Sequence, residues 1–263
     1  MSKPYIVCHM MMSIDGRIDC GMTVRLAGNH EYYETLAALN APTRVSGRVT
    51  AQLEMASGKF RGTGKPLGHE AFSKKTDAEG YNVIPDTRGT LSWSDDSGSA
   101  KPLVILTCEQ VSEDYLAFLD SRNISWIATG RDRIDLARAS EILNEEFGVE
   151  RMAVVGGGTI NGGFLDAGLL DEVSILIGPG IDGRKGMSAT FDGLPMNRRP
   201  VALKLESVTP MTTARSGCVI RCDFRNGFPR IADDLRKATR HKTLTVGIVM
   251  TWRGSTRYYE LHD

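Results

Sequence analysis

Three glycines in a row, Gly156-Gly157-Gly158, break an apolar run that begins at Val154 and resumes at Thr159-Ile160. Residues without a Cβ let a backbone turn sharply and approach a ligand closely, and a helix that starts there aims its unpaired N–H groups back into the turn. That chemistry suits an anion such as a phosphate. The plain alternative is a tight strand-to-helix corner, because one glycine-rich turn is weak evidence by itself. Two further stretches also place polar groups beside a glycine where an apolar run ends. Gly47-Arg48-Val49-Thr50 brings a hydroxyl and a guanidinium, whose planar fork donates two parallel hydrogen bonds to phosphate oxygens. Ser13-Ile14-Asp15-Gly16 brings a carboxylate that is either a turn-forming Asp-Gly or a polar group at the mouth of a site. His9 lies in the apolar run just before it. Facing a cavity it would donate a proton; facing the core it would be a satisfied buried histidine.

No metal chemistry is indicated. The five cysteines (Cys8, Cys20, Cys108, Cys218, Cys222) form no CxxC pair and have no neighbouring histidine at zinc-ligand spacing. They read as free thiols in a reducing, cytoplasmic compartment. Lys+Arg and Asp+Glu both number 32, so no overall field selects nucleic acid or an anionic membrane as partner. The balance is uneven along the chain: from Arg225 onward there are 8 Lys+Arg against 4 Asp+Glu, which leaves 24 against 28 before it. The apolar run Tyr5 to Met12 is too short, and wrongly flanked, for a signal peptide or a membrane span.

The elements that must position these residues follow from periodicity. Pro4 to Met12 reads as a buried strand, and its three methionines fit either core packing or a soft cavity wall. Asn29 caps a helix from about Glu31 to Leu39, stopped by Pro42. Thr43 to Thr50 reads as a strand running into Gly47-Arg48 and a turn of helix. Between Ser57 and about Ala100, Gly, Ser, Thr, Asp and Lys dominate. This is a long irregular excursion with short strands near Tyr81 to Ile84 and Gly89 to Trp93, and with Lys65, His69 and Lys74 as possible contacts to an acidic ligand.

From Pro102 to Gly178 the pattern is clearest. Strands Leu103 to Thr107, Ile124 to Thr129, Arg151 to Val155 and Glu172 to Gly178 alternate with helices capped by Ser112 and Asp135, and with one running from about Thr159 to Leu169. Such alternation predicts crossover connections, a largely parallel sheet and ligands at the carboxyl ends of its strands. The triple glycine, Thr107-Cys108 and Thr129-Gly130-Arg131 all fall at such ends. No Gly-x-Gly-x-x-Gly opens a first helix, so this is not the Rossmann pattern.

Taken in order, several stretches carry a resemblance: Pro4 to Val7 leading to Ser13-Ile14-Asp15-Gly16-Arg17-Ile18, Gly47-Arg48-Val49-Thr50, Arg133 to Leu136, Val155 to Asn161, Ala167 to Glu172, and Gly178-Pro179 to Gly183. Over about residues 3 to 224 the chain resembles the pyrimidine reductases, the reductase domain of the riboflavin-biosynthesis deaminase/reductase, which has the dihydrofolate reductase fold. The resemblance implies an α/β, three-layer domain over residues 1–224 with a mixed, mainly parallel sheet flanked by helices. It implies an NADPH-dependent reductase of a small-molecule substrate, working as a homodimer. Gly156, Gly157, Gly158, Thr159 and Ile160 would then hold the cofactor pyrophosphate and adjoining ribose. Gly47, Arg48 and Thr50 would lie along the phosphates, with Thr107 at the same edge. Met12, Ser13 and Asp15 would border the nicotinamide and substrate, leaving Asp15 and His9 as the candidates for proton delivery. Arg48 and Arg131 are the candidates for a 2′-phosphate.

The chain departs from the riboflavin enzymes where they read substrate. They carry Lys at the position of His9, Glu-Gly-Gly at Val155-Gly156-Gly157, and Ala-Asp-x-Pro at Ala51-Gln52-Leu53-Glu54. A substrate other than the ribosylamino-pyrimidine phosphate is therefore expected. The second hypothesis is a non-catalytic nucleotide- or phosphate-ligand-binding protein on the same fold. Residues 225–263 lie beyond the resemblance and form a basic C-terminal extension, with helical pattern over Ile231 to Thr239 and a β-rich run over Leu244 to Trp252.

Overall fold

The computed structural model describes residues 2–211 and 218–223. The extension read over 225–263 lies outside the described residues. In chain order the strands are β1 (Tyr5–Met12), β2 (Thr43–Val45), β3 (Gly58–Lys59), β4 (Ala71–Ser73), β5 (Asn82–Pro85), β6 (Leu91–Ser92), β7 (Leu103–Thr107), β8 (Ser125–Ala128), β9 (Arg151–Val154), β10 (Glu172–Ile177), β11 (Lys204–Pro210) and β12 (Cys218–Asp223). The helices are α1 (Cys20–Thr23), α2 (Asn29–Ala38), α3 (Arg48–Glu54), α4 (Glu113–Ser121), α5 (Leu136–Glu145) and α6 (Gly158–Asp166).

Ten strands form one sheet in the order β11-β12-β10-β1-β9-β2-β5-β7-β8-β4, and β3 pairs with β6 apart from it. The six pairings from β10 to β8 are parallel. The antiparallel pairs are β10 with β12, β12 with β11, and β8 with β4, so the outermost strands close a parallel centre on both sides. Period-two alternation splits each central strand between two cores. Ile6, Cys8 and Met10 face one side with Val45, Val83, Val104, Leu106 and Val154, under Ala139, Ile142 and Leu143 of α5 and Phe164 of α6. On the other side Val7 and Ala153 pack with Leu36 of α2, while Ile84 and Ile105 pack with Ala51 of α3 and with Tyr115, Leu116 and Leu119 of α4. This is the expected three-layer arrangement.

The helix ends follow local chemistry. The Ser112 hydroxyl accepts from Tyr115 N–H and the Asp135 carboxylate from Ala137 and Arg138 N–H, each satisfying donors that a first turn leaves unpaired. Helix α2 differs from the sequence reading: Asn29 is its first residue, and Gly28, at φ 108°, occupies the cap. The strand expected over 43–50 ends at Val45. Gly47 is extended and its N–H is held by Gly156 O at 2.9 Å, so α3 starts at once from Arg48. The excursion over 57–100 is more ordered than its composition suggests, since it carries β5 in the middle of the sheet and β4 at its edge.

Candidate active site

The carboxyl ends of β9 and β2 meet through their loops. Gly47, following β2, would place an added Cβ 3.0 Å from Gly156 O and 3.5 Å from Gly157 Cα, so its missing side chain allows the two turns to touch. The three consecutive glycines have three different reasons. Gly157 sits at φ 85°, a conformation that L side chains rarely adopt. At Gly158 an added Cβ would fall 2.3 Å from Ala189 O. Gly156 has neither constraint: its φ is not positive, and an added Cβ would meet only Thr50 Oγ1, at 3.9 Å.

Helix α6 opens from this turn. Ile160 and Asn161 N–H are the first to bond back, both to Gly157 O, which leaves the amides of Gly158 and Thr159 without a partner among the described residues, at the positive end of the helix. Asn161 is fully buried and its Nδ2 donates to Thr190 O at 2.7 Å, while its Oδ1 has no partner among the described residues. Gly156 leaves room beside the backbone and the helix end leaves N–H donors that suit an anion, whereas the Asn161 acceptor is enclosed in the protein.

A cavity of about 520 Å³ runs from Arg48 and Gln52 of α3 to the loop after β5; of the residues expected to hold the cofactor only Arg48, next in sequence to Gly47, lines it. Arg48, Lys59, Arg61 and Arg88 give it four cations. Its one carboxylate, Asp86, is buried and consumed from within: Oδ2 accepts from Thr90 N–H at 2.7 Å and Leu91 N–H at 2.8 Å, Oδ1 from the Thr90 hydroxyl at 2.9 Å, and the Tyr115 hydroxyl donates to Oδ2 at 3.2 Å. Trp93 Nε1 donates in turn to the Tyr115 oxygen at 2.9 Å. Among the described residues no carboxylate pairs with Lys59, Arg61 or Arg88, so the cavity has a net positive lining.

Sequence reasoning missed Lys59, Arg61 and Arg88, although Thr87-Arg88-Gly89 has the same strand-end form as the motifs it did single out. The three basic residues chosen from the excursion do not line this cavity. Lys74 pairs with Asp77, His69 Nδ1 contacts Leu67 O, and Lys65 contributes its carbonyl to Glu113 N–H. Arg131, after β8, stands four strand spacings from β9, roughly 19 Å away. Arg88, after β5, is two spacings away, roughly 10 Å. Thr107 is fully buried and donates its hydroxyl to Thr87 O at 3.0 Å, which fixes the loop that carries Arg88.

At the end of β1, Met12 is half-buried with Thr190 Oγ1 donating to its sulfur at 3.2 Å, while Met10 and Met11 belong to the cores on opposite faces. His9 points to the α2 face and is fully buried. Its ring stacks on Tyr32 at 4.8 Å, Nδ1 lies 3.0 Å from Ser174 Oγ, and Nε2 lies 3.2 Å from Thr35 Oγ1 and 3.3 Å from Tyr32 O. Burial pushes its pKa down to about 4, with Arg221 and Arg44 adding to the effect. Asp15 is exposed, yet both of its oxygens are occupied. Oδ1 accepts from Ser13 Oγ at 2.7 Å and Asp182 N–H at 3.0 Å, and Oδ2 from Gly183 N–H at 2.9 Å. Those donors, Ser13 first, hold the carboxyl well below the usual range.

Comparison with known proteins decides the family. Residues 4–214 match the RibD C-terminal domain. The chain belongs to that family. A further relative of the RibD reductase domain is the 2,5-diamino-6-ribosylamino-4(3H)-pyrimidinone 5′-phosphate reductase of Methanothermobacter thermautotrophicus, 33% identical over 105 residues, which are 40% of this chain and 48% of that protein. The matched segment thus spans about half of that relative. Among solved structures, a pyrimidine reductase-like protein from Corynebacterium diphtheriae superposes with a TM-score of 0.63 at 15% identity, covering 84% of this chain and 91% of that one. Acinetobacter baumannii RibD superposes with a TM-score of 0.58 at 17% identity, covering 84% of this chain and 58% of that one. The RibD match stops at residue 214, whereas the sheet continues through β12 to Asp223. Among the described residues no helix is long and apolar enough to cross a membrane.

Proposed function

We propose that this protein is an NADPH-dependent oxidoreductase that reduces a small pyrimidine-like or other heterocyclic or carbonyl substrate. The observation that carries this reading is Gly156, a glycine without a conformational or packing need for its missing side chain, at an open helix end; Arg48, which follows the Gly47 bonded to Gly156 O, lines a cavity with four cations. Gly156 and Gly157 would let the diphosphate approach the backbone, and the amides of Gly158 and Thr159 would donate to it. Thr50 Oγ1, from α3, is the atom nearest to a Cβ added at Gly156, and Ile160 backs the turn against Gly47. Arg48, Arg61 and Arg88, with Lys59, would face the adenosine 2′-phosphate, which is the reason to expect NADPH over NADH. When bound, the reduced nicotinamide supplies a hydride. The residues at the end of β1, Met12 and Ser13, would set where the ring lies against substrate.

The proton is a separate matter. His9 is sealed between β10 and α2, and Asp15 is fixed as an anion, which leaves proton delivery to water or substrate. His9 and Val155 also occupy positions where the riboflavin enzymes carry Lys and Glu. Val155 packs beside Leu36 and Leu39. An altered substrate is the consequence we draw.

NADPH fluorescence titration followed by oxidation against a panel of pyrimidines and small carbonyl compounds tests the proposal. Micromolar NADPH binding, tighter than NADH, with turnover of a panel member is the expected result. No binding at micromolar levels removes the cofactor assignment, and binding without any turnover favours a non-catalytic nucleotide-binding protein. Operation as a homodimer in the cytoplasm is part of the proposal and is read by sedimentation and cell fractionation.

A further inference from the structure

We propose that Asp15 is a positioning residue: its carboxylate latches residues 178–192 to the turn after β1, and this strap in turn holds the opening of α6. The inference rests on the reductase reading only for what the opening of α6 binds; the latch itself is geometric.

The strap is tied down along its length. At its start Gly178 N–H donates to Met12 O at 2.8 Å and Ile14 N–H to Gly180 O at 2.8 Å. The backbone then turns so that two successive amides, Asp182 and Gly183, converge on the two oxygens of Asp15. Gly183, at φ 67°, provides the left-handed step this needs. Gly16, at φ 80°, reverses the other strand of the latch so that its N–H returns to Ser13 O. A second tie follows immediately. Arg184 donates through Nε to Asp182 Oδ1 at 2.6 Å and through Nη2 to Asp19 Oδ2 at 2.6 Å, joining the same two segments. Arg17 Nη1 donates to Met187 O at 2.6 Å, Ile18 N–H to Ser188 O at 3.2 Å and Thr190 N–H to Gly16 O at 3.2 Å.

The far end of the strap meets the glycine turn. Asp192 N–H donates to Gly158 O at 2.9 Å, Asn161 Nδ2 donates to Thr190 O, and Ala189 O and Asp192 O fill the space that side chains at Gly158 and Gly162 would need. The chain from Asp15 to α6 is therefore continuous, and every hydrogen bond to the carboxylate comes from a donor. A group in that position orders backbone; it has no proton to give. Exposed loops bound this way open and close as local units, so removal of the anchoring anion is expected to raise their exchange with solvent.

Hydrogen–deuterium exchange of the full-length protein, on peptides covering 180–185 and 156–162, compares wild type with Asp15→Asn. The amide nitrogen of Asn would face one of the two converging N–H groups and break that bond. Exchange at Asp182 and Gly183 is expected to rise about tenfold, with a smaller rise at 158–161. NADPH should bind about tenfold more weakly, and kcat at saturating NADPH should fall less than the affinity does, with the pH profile unmoved. Arg184→Ala, which removes only the second tie, should move both readouts in the same direction by less. Unchanged exchange at 180–185 in both variants would overturn the latch. So would normal exchange and affinity in Asp15→Asn together with a lost acid limb of the pH profile, since that is the behaviour of a proton donor. If wild type does not bind NADPH, the reductase reading fails, and the exchange comparison still decides the latch.

Discussion

At Gly156 an added methyl group has room in the protein, and this makes it the most informative single position. Gly156→Ala is expected to change thermal stability by less than about 0.5 kcal/mol, yet to weaken NADPH binding strongly. Gly157→Ala must place a side chain at φ 85° and should cost at least about 1 kcal/mol. Gly162→Ala would put its Cβ 2.0 Å from Asp192 O, and overpacking of that kind costs about 1–3 kcal/mol. Unfolding midpoints and NADPH titrations on the three variants check the ordering, and equal binding by Gly156→Ala would remove the cradle. His9 gives a pH test. Its pKa falls from 6.5 in the unfolded chain to about 4 in the fold, so between those values the unfolded chain holds the extra proton. Stability is full above pH 6.5 and drops as pH falls toward 4, by about 3 kcal/mol. Urea unfolding from pH 7 to 4.5 should show a shallower loss in His9→Gln. A lone histidine within an apolar strand was legible from sequence as either a core or a cavity residue. The choice depends on which face meets α2, and alternation along β1 cannot tell one helix layer from the other.

At the scale of elements, the parallel βα units from β7 to β10 were readable because each helix carries its cap and apolar stripe in the sequence. Ser112 and Asp135 do cap α4 and α5. The edge strands β4 and β11 were not, since the three residues Ala71 to Ser73 are too few to carry a periodic signal and Lys204 to Pro210 is exposed at all but one position, so both owe their conformation to the neighbouring strand. The same holds for the site. The glycine turn announced itself locally, whereas Lys59 and Arg61 reach Arg88 only through the pairing of β3 with β6, which sets Lys59 against Leu91. Arg88→Ala should weaken NADPH by about tenfold or more while leaving NADH unchanged, as loss of a charge-assisted hydrogen bond to one phosphate requires. Parallel titrations with the two nucleotides measure this, and an equal loss for both would remove Arg88 from the 2′-phosphate. Asp86→Ala acts differently, because it takes the acceptor from Thr90 N–H and strands the buried Leu91 N–H and Tyr115 hydroxyl. A loss of about 2–4 kcal/mol is expected by thermal unfolding.

At the scale of the whole molecule, the family and the three-layer fold were legible from motif order. The domain end expected at 224 lies next to the last described strand: the RibD match ends at residue 214, but β12 covers the full length of β10, with Glu172 to Ile177 paired against Asp223 to Cys218. A chain ended after residue 200 should therefore lose the cover of an apolar strand and fail to give soluble, folded protein, as expression and circular dichroism would show. A chain ended at 224 should keep the cofactor site. The central place of β1 has one more consequence, and it concerns synthesis. The first strand made is flanked by β9 and β10, and its His9 meets Ser174 across 165 residues of chain. At cellular rates of elongation an eight-residue apolar segment waits on the order of ten seconds before either neighbour exists. The emerging chain must be shielded for that interval, so yield in a host should depend on chaperone supply at the ribosome more than on the stability of the finished sheet.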